Sequence, residues 1–184
     1  ISLPVPNVPF QAAAQAATPP KRIGWSASMG VAPVEPEVAE ICAAAAQSFA
    51  ALGTAVEEAC PDFTGAQKMF QTLRGVSFVG GHRKHMAENR DQLKPEVIWN
   101  YEHGLALSIE EVADAKQVRG RLQQNMCDFF ETYDLLVTPT VMTPTFPVEI
   151  RYLDEVAGVK FDNYVDWLMH TFIVTPTGCP AVSL

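Results

Sequence analysis

Apolar residues recur at three- and four-residue steps over Val38, Ile41, Cys42, Ala45, Phe49 and Leu52, which predicts an amphipathic helix. Pro36 suits its first turn, and Gly53 can close it in the left-handed conformation. Residues 21–25 before it and 54–58 after it read as short strands, so the unit is strand, helix, strand: a right-handed crossover between parallel strands. The fold class is therefore α/β. Ser108 followed by Glu111 forms a capping box, and Val112, Ala115, Val118, Leu122, Met126 and Phe129 continue at helical spacing to about residue 131. Residues 62–90 are predicted helical as well, with Gly80 and Gly81 marking a break or turn. The unbroken apolar run at 134–138 predicts a strand covered on both faces and lying inside the sheet. Beyond it TPTVMTPTFP, with prolines at 139, 144 and 147, must leave the strand end as an irregular loop, where ligands of open α/β sheets gather. At the other end Pro4, Pro6 and Pro9 favour extended chain, so residues 1–20 are expected to form a Pro-rich linker crossing a surface.

Composition narrows the function classes. The 184 residues are 48% hydrophobic and 18% charged, which supports a globular domain with a real core. The net charge of −8 repels phosphate backbones and anionic lipid, so neither nucleic acid nor membrane is an expected partner. The uncharged stretch 167–184 is interrupted by Pro176, Gly178 and Pro180 and reads as buried structure rather than a bilayer span. Cys42, Cys60, Cys127 and Cys179 show no C-x-x-C pairing, and Cys42 and Cys127 fall on apolar helix faces as small hydrophobes, which fits a reducing cytoplasm. A chain that begins at Ile1 without a signal-type segment is expected to be a processed or truncated piece.

The common catalytic motifs, G-x-S-x-G, the Walker loop, G-x-G-x-x-G and H-E-x-x-H, do not occur. His82 and His85 could share a helix face, but Arg83 and Lys84 beside them oppose a cation and no further ligand stands at suitable spacing, so no metal site is expected. Isolated His103 and His170 read as hydrogen-bonded structural residues, and the adjacent pairs Glu57–Glu58 and Glu110–Glu111 as solvated charges. Trp25, Ser26 and Ser28 read as turn residues, since no base is placed to activate either hydroxyl. Two blocks remain, YDLLVTPT and MHTFIVTPTGCPAVSL, apolar strand-like segments each interrupted by Thr-Pro-Thr. Such loops either wall an apolar pocket with a few hydroxyls or merely end a strand, and the pattern alone does not choose.

At these blocks the sequence resembles the C-terminal part of the amidase signature family. The resemblance runs from ISLPVP through KRIGWSASMGVAPVEPEV, ALGTAVEEACP and FFETYDLLVTPT to HTFIVTPTGCPAVSL, in that order. It implies a mixed, largely parallel sheet flanked by helices, with residues 21–184 forming the C-terminal part of a single amidase domain. It also implies a serine hydrolase that cleaves carboxamides through a Ser–cis-Ser–Lys triad and an acyl-enzyme, with no cofactor. The family's lysine-bearing strand and serine- and glycine-rich segment are not in these 184 residues, so no catalytic role passes to any residue here. Thr175 and Pro176 replace the family's usual asparagine and leucine, and the long segment after the first Thr-Pro-Thr favours a free-standing amidase over the glutaminyl-tRNA amidotransferase subunit.

The expected pocket has Thr138, Pro139, Thr140 and Met142 on one wall and Met169, Phe172 and Ile173 on the other. Such a lining suits apolar acyl or aryl amides, and related esters or carbamates, the last a urethanase activity. The expected partners are the small amide substrate, the missing N-terminal catalytic portion of the same protein and a second copy in a homodimer. The rival reading is a non-catalytic α/β binding or scaffold subunit, an amidotransferase-like component, pairing through an unfinished sheet edge.

Overall fold

The computed structural model describes residues 7–183. Its centre is a parallel sheet in which β1 (Arg22–Trp25) lies between β2 (Ala55–Glu58) and β3 (Leu135–Val137). Ile23 pairs with Val56 on one side and with Leu135 on the other, and its side chain is fully buried. The crossover from β1 to β2 is made by α2 (Pro36–Gln47) and a 3-10 turn (Ser48–Leu52). Pro36 begins the helix and Gly53 ends the turn at φ 83°, a conformation that a side chain would oppose. The helix presents Val38 and Ala46 to the interior, whereas Ile41 and Leu52 of the expected stripe are exposed. The inward side of the helix runs through Val38, Cys42 and Ala46, with Ala39 and Ala43 half-buried beside them.

The strand over 134–138 stands at the edge of the three-stranded sheet, not inside it, and Leu135 is 42% exposed. A short apolar run signals burial but not lateral position, and here β1 holds the centre. Asp134, just before β3, fastens the strands by accepting the backbone N–H groups of Lys21 (2.6 Å) and Arg22 (3.0 Å). These bonds hold its carboxyl below the usual range. Gly24 of β1 lets Phe129 lie against the strand: a Cβ there would come within 2.5 Å of Phe129 Cζ and 2.8 Å of the Ala59 carbonyl oxygen.

Phe129 belongs to α5 (Ile109–Phe130), whose start is the expected capping box. Ser108 Oγ accepts from the Glu111 N–H (3.1 Å), and the Glu111 carboxylate accepts from the Ser108 N–H (2.9 Å). Ala115, Leu122, Met126 and Phe129 form its buried row, while Cys127, expected on that row, points to solvent because it follows Met126 directly. The other long helix, α3 (Ala66–Glu88), runs through Gly80 and Gly81 without the expected break. Both glycines face open space, so no packing demand bends the helix at that point. It is held instead at Gly75, where α4 (Pro95–Ala106) crosses so closely that a Cβ on Gly75 would lie 3.0 Å from Gly104 Cα. The sequence reading did not mark α4, although Pro95 stands at its first turn.

Two further expectations give way to short helices. Residues 10–15 of the expected extended linker form α1 (Phe10–Gln15), because FQAAAQ has high helix propensity once Pro9 is passed; the extended expectation for residues 1–6 lies outside the described residues. The terminal apolar block is not strand-like: it folds as α6 (Met169–Ile173) and a 3-10 turn (Thr175–Thr177). Met169, Phe172 and Ile173 stand at i, i+3 and i+4, a helical spacing that the run of apolar neighbours conceals. A small hairpin of β4 (Glu155–Val156) and β5 (Val159–Lys160) turns through Ala157 and Gly158, both at positive φ. No helix among the described residues is long and apolar enough to cross a membrane.

Candidate active-site wall

The C-terminal ends of β1 and β3 open on the same side of the sheet, as parallel pairing requires. There Ser26 N–H donates to the Val137 carbonyl (3.1 Å), which extends the ladder one step. The chain then turns sharply, with Ser26 Oγ accepting from Met29 N–H (3.0 Å) and Ser28 Oγ accepting from Gly30 N–H (3.2 Å). Both serines thus act as turn residues. Met29 takes a positive φ of 49°, and its side chain enters the main hydrophobic cluster. A non-glycine residue held in this region needs its surroundings to fix it, and burial of the Met29 side chain does so.

After β3, Thr138 is half-buried, Pro139 is fully buried and Thr140 is exposed. The Thr138 hydroxyl is shielded from solvent and has no hydrogen-bond partner among the described residues. Met142 is buried, and its carbonyl accepts from Glu35 N–H (2.8 Å), which ties the proline-rich loop to the start of α2. The Glu35 carboxylate in turn accepts from Ala157 N–H (2.8 Å), so the β4–β5 hairpin hangs from the same residue.

Across from this loop sits α6. Met169, Phe172 and Ile173 are buried and join Met142 in one hydrophobic cluster, to which Met29, Phe63 and Met126 also belong. Phe172 stacks on Phe70 of α3 with centroids 4.1 Å apart and planes 4° from parallel. His170, 3% exposed, bonds through Nε2 to the Ala27 carbonyl (2.8 Å), and its Nδ1 is buried without a partner among the described residues. Burial pushes its pKa down, and the Ala27 bond opposes this only in part, which favours the neutral ring. Of the seven residues expected in a pocket, the fold therefore gathers Met142, Met169, Phe172 and Ile173, places Thr138 and Pro139 at the adjoining strand end, and leaves Thr140 at the surface. Two clefts of about 530 Å³ lie elsewhere, one by the α3–α4 turn and one between α3 and α5, and none of the seven lines either.

The remaining titratable candidates are spent on structure. His82 stacks on Phe78 and His103 on Trp99. Glu57 receives Arg22 through three contacts of 2.8 to 3.1 Å and the Tyr133 hydroxyl at 3.1 Å, and these bonds keep its carboxyl below the usual range. Among the described residues no three His, Cys, Asp or Glu side chains are grouped to hold a metal ion.

With this arrangement in view, comparison with known proteins is decisive about kinship: the amidase family profile matches residues 2–184. The chain belongs to the amidase family. An acylamidase from Rhodococcus erythropolis is 26% identical over 166 residues, which make up 89% of this chain and 35% of that relative. The fold is shared with a bacterial aryl acylamidase of the amidase signature enzymes family, at TM-score 0.75 and 21% identity over 96% of this chain and 39% of that one. It is shared likewise with a 6-aminohexanoate cyclic dimer hydrolase solved with its substrate, at TM-score 0.73 and 20% identity over 95% of this chain and 40% of that one. The chain thus spans about a third of the length of the curated acylamidase. In this amidase-family chain the expected α/β class holds, and the helix α6 and the loop after β3 are parts of the family fold rather than an unrelated surface.

One group of site residues escaped the sequence reading. Asp166, at the head of the turn that leads into α6, is buried and hydrogen-bonded to Gln67 and Gln71 of α3. Nothing local signals these two bonds, since Gln67 and Gln71 stand 99 and 95 positions away; the nearer partner, Asn163, bonds the other carboxylate oxygen.

Proposed function

We propose that this chain is the C-terminal portion of an amide hydrolase and supplies one wall of its substrate pocket. The observation that carries the reading is the family match over nearly the entire chain, joined to a fold shared with solved amidases. In this reading the Ser–cis-Ser–Lys triad lies upstream: the lysine draws a proton through the bridging serine, and the second serine attacks the amide carbonyl. The amine leaves with that proton, and water then releases the acid from the acyl-enzyme. The part played by residues 138–142 and by α6 is to bind and orient. In this reading Thr138, Pro139 and Thr140 lead from the strand end to the pocket, and Met142 packed with Met169, Phe172 and Ile173 backs them with a dry apolar layer, which favours apolar acyl or aryl groups over charged ones. Esters and carbamates of the same shape enter the same wall. The first partner of the chain is the upstream catalytic portion of the same protein.

The test uses the full-length protein. It should hydrolyse a chromogenic anilide and take one fluorophosphonate label, read as an intact-mass increase, on a serine upstream of this region. A full-length protein that is inert to both, across esters, carbamates and anilides, refutes the hydrolase reading and leaves the scaffold alternative.

A further inference from the structure

The buried carboxylate of Asp166 has a pattern of partners that a purely space-filling role does not require. It is 2% exposed, yet among the described residues it forms no ion pair. Its Oδ1 accepts from Gln67 Nε2 (2.8 Å) and Gln71 Nε2 (2.6 Å), one turn apart on α3, and its Oδ2 accepts from Asn163 Nδ2 (3.0 Å). The nearby guanidinium of Arg74 is engaged otherwise, with Asn100 Oδ1 (3.0 Å) and the Tyr164 hydroxyl (3.2 Å). A buried anion is costly unless its oxygens are satisfied, and charge-assisted bonds of this kind are about twice as strong as neutral ones. Fixed amide donors from two segments also set the direction of the carboxylate more narrowly than a single flexible cation would.

The consequence is mechanical. Asp166 opens the 3-10 turn (Asp166–Leu168) that runs without interruption into α6. The helix is then held to α3 twice, by the carboxylate at Gln67 and Gln71 and by the Phe172–Phe70 stack. Its third tie is His170 to the Ala27 carbonyl at the exit of β1. We propose that Asp166 is a positioning residue that sets the seat of α6, and with it the position of the loop after β3, whose Met142 packs on Met169, Phe172 and Ile173; this role rests on the amidase reading above.

An amide cannot replace the carboxylate. In Asp166→Asn one oxygen can still accept from both glutamines, but the new N–H₂ then meets Asn163 Nδ2, donor against donor. Asn163 is not free to turn over, because its Oδ1 accepts from Val165 N–H (2.9 Å). The experiment compares kcat and KM of the full-length protein on acetyl and benzoyl p-nitroanilides, with hydrogen exchange read by mass spectrometry. For Asp166→Asn the expected result is a drop of about tenfold or more in kcat/KM for the benzoyl substrate, carried by KM. The acetyl substrate should change by less than about twofold, and faster exchange should be confined to 166–174. Gln67→Met, which removes a single donor with little change of volume, should move the same ratio in the same direction to a smaller extent, and it decides the matter should Asp166→Asn not fold. An active wild type whose variants lose stability but keep the benzoyl-to-acetyl ratio overturns the positioning role alone. A wild type inert to both anilides overturns the amidase reading, and this role with it, before any variant is compared.

Discussion

The crossing of α3 and α4 offers a test in which one chemical change should have opposite effects at two positions. Gly104→Ala would place a methyl group against the Gly75 backbone, overlapping its carbonyl and coming within 2.7 Å of Val79 Cγ2. The obstacle is helix backbone, so no side-chain rotation relieves it, and the cost belongs at the upper end of overpacking penalties, about 3 kcal/mol. Alanine regains about 1 kcal/mol of helix propensity over glycine, which leaves a net loss of about 2 kcal/mol. Gly80→Ala makes the same substitution on α3 where nothing stands within 4 Å of the added carbon, and only the propensity gain of about 0.4–1 kcal/mol remains. Urea unfolding followed by circular dichroism, with a shared m-value, should therefore separate the two variants by about 3 kcal/mol, with wild type between them. Equal midpoints, or a Gly104→Ala protein at least as stable as Gly80→Ala, would refute the close crossing of α3 and α4 and the open surroundings of Gly80.

Two further expectations are simpler to check. His170 has a folded pKa below its ordinary value, so the unfolded chain binds the proton more readily. Its contribution is thus fully present above about pH 6.5 and declines as the pH falls toward the folded pKa, with a slope approaching 1.4 kcal/mol per pH unit. Replacing it by glutamine, which can still donate to Ala27, should flatten the urea-midpoint profile below pH 6.5, and an unaltered profile would count against the buried neutral imidazole. Ser108→Ala removes the cap of α5 and should cost about 1 kcal/mol in the same melts, whereas Ser108→Asp should recover most of it.

What could be read from the sequence was what is declared locally. The capping box at Ser108 and Glu111 placed the start of α5 correctly, and Pro36 with Gly53 bracketed the crossover between β1 and β2. Misreadings arose where a local signal was true but was overruled by packing. The Gly80–Gly81 pair does weaken a helix, yet α3 continues because its anchoring contact lies earlier, at Gly75. The apolar terminal block reads as strand because a short run carries no period, whereas in the fold it forms α6, docked on Phe70. The single buried residue of α4 is the polar Asn100, whereas its apolar Val97, Ile98 and Tyr101 are only half-buried, so apolar pattern and burial do not coincide in that helix. At the candidate site the sequence suggests Met142 opposite Met169, Phe172 and Ile173 as two walls of a pocket, whereas the fold packs all four together in the core. The seating by Asp166 depends on contacts across 95 and 99 positions and has no local trace.

The order of strands in the sheet also dictates an order of assembly. Arg22 meets Glu57 across a separation of 35 residues, but the Asp134 carboxylate that fastens β3 to Lys21 lies 113 residues from its partner. Closing the longer loop costs about 1 kcal/mol more in chain entropy, since the penalty grows with the logarithm of length. The β1–α2–β2 unit is thus the expected early nucleus. The final strand joins only after α3, α4 and α5 have folded back and shortened the span, which makes the Asp134 fastening a late event on the folding path and a natural first point of opening during unfolding.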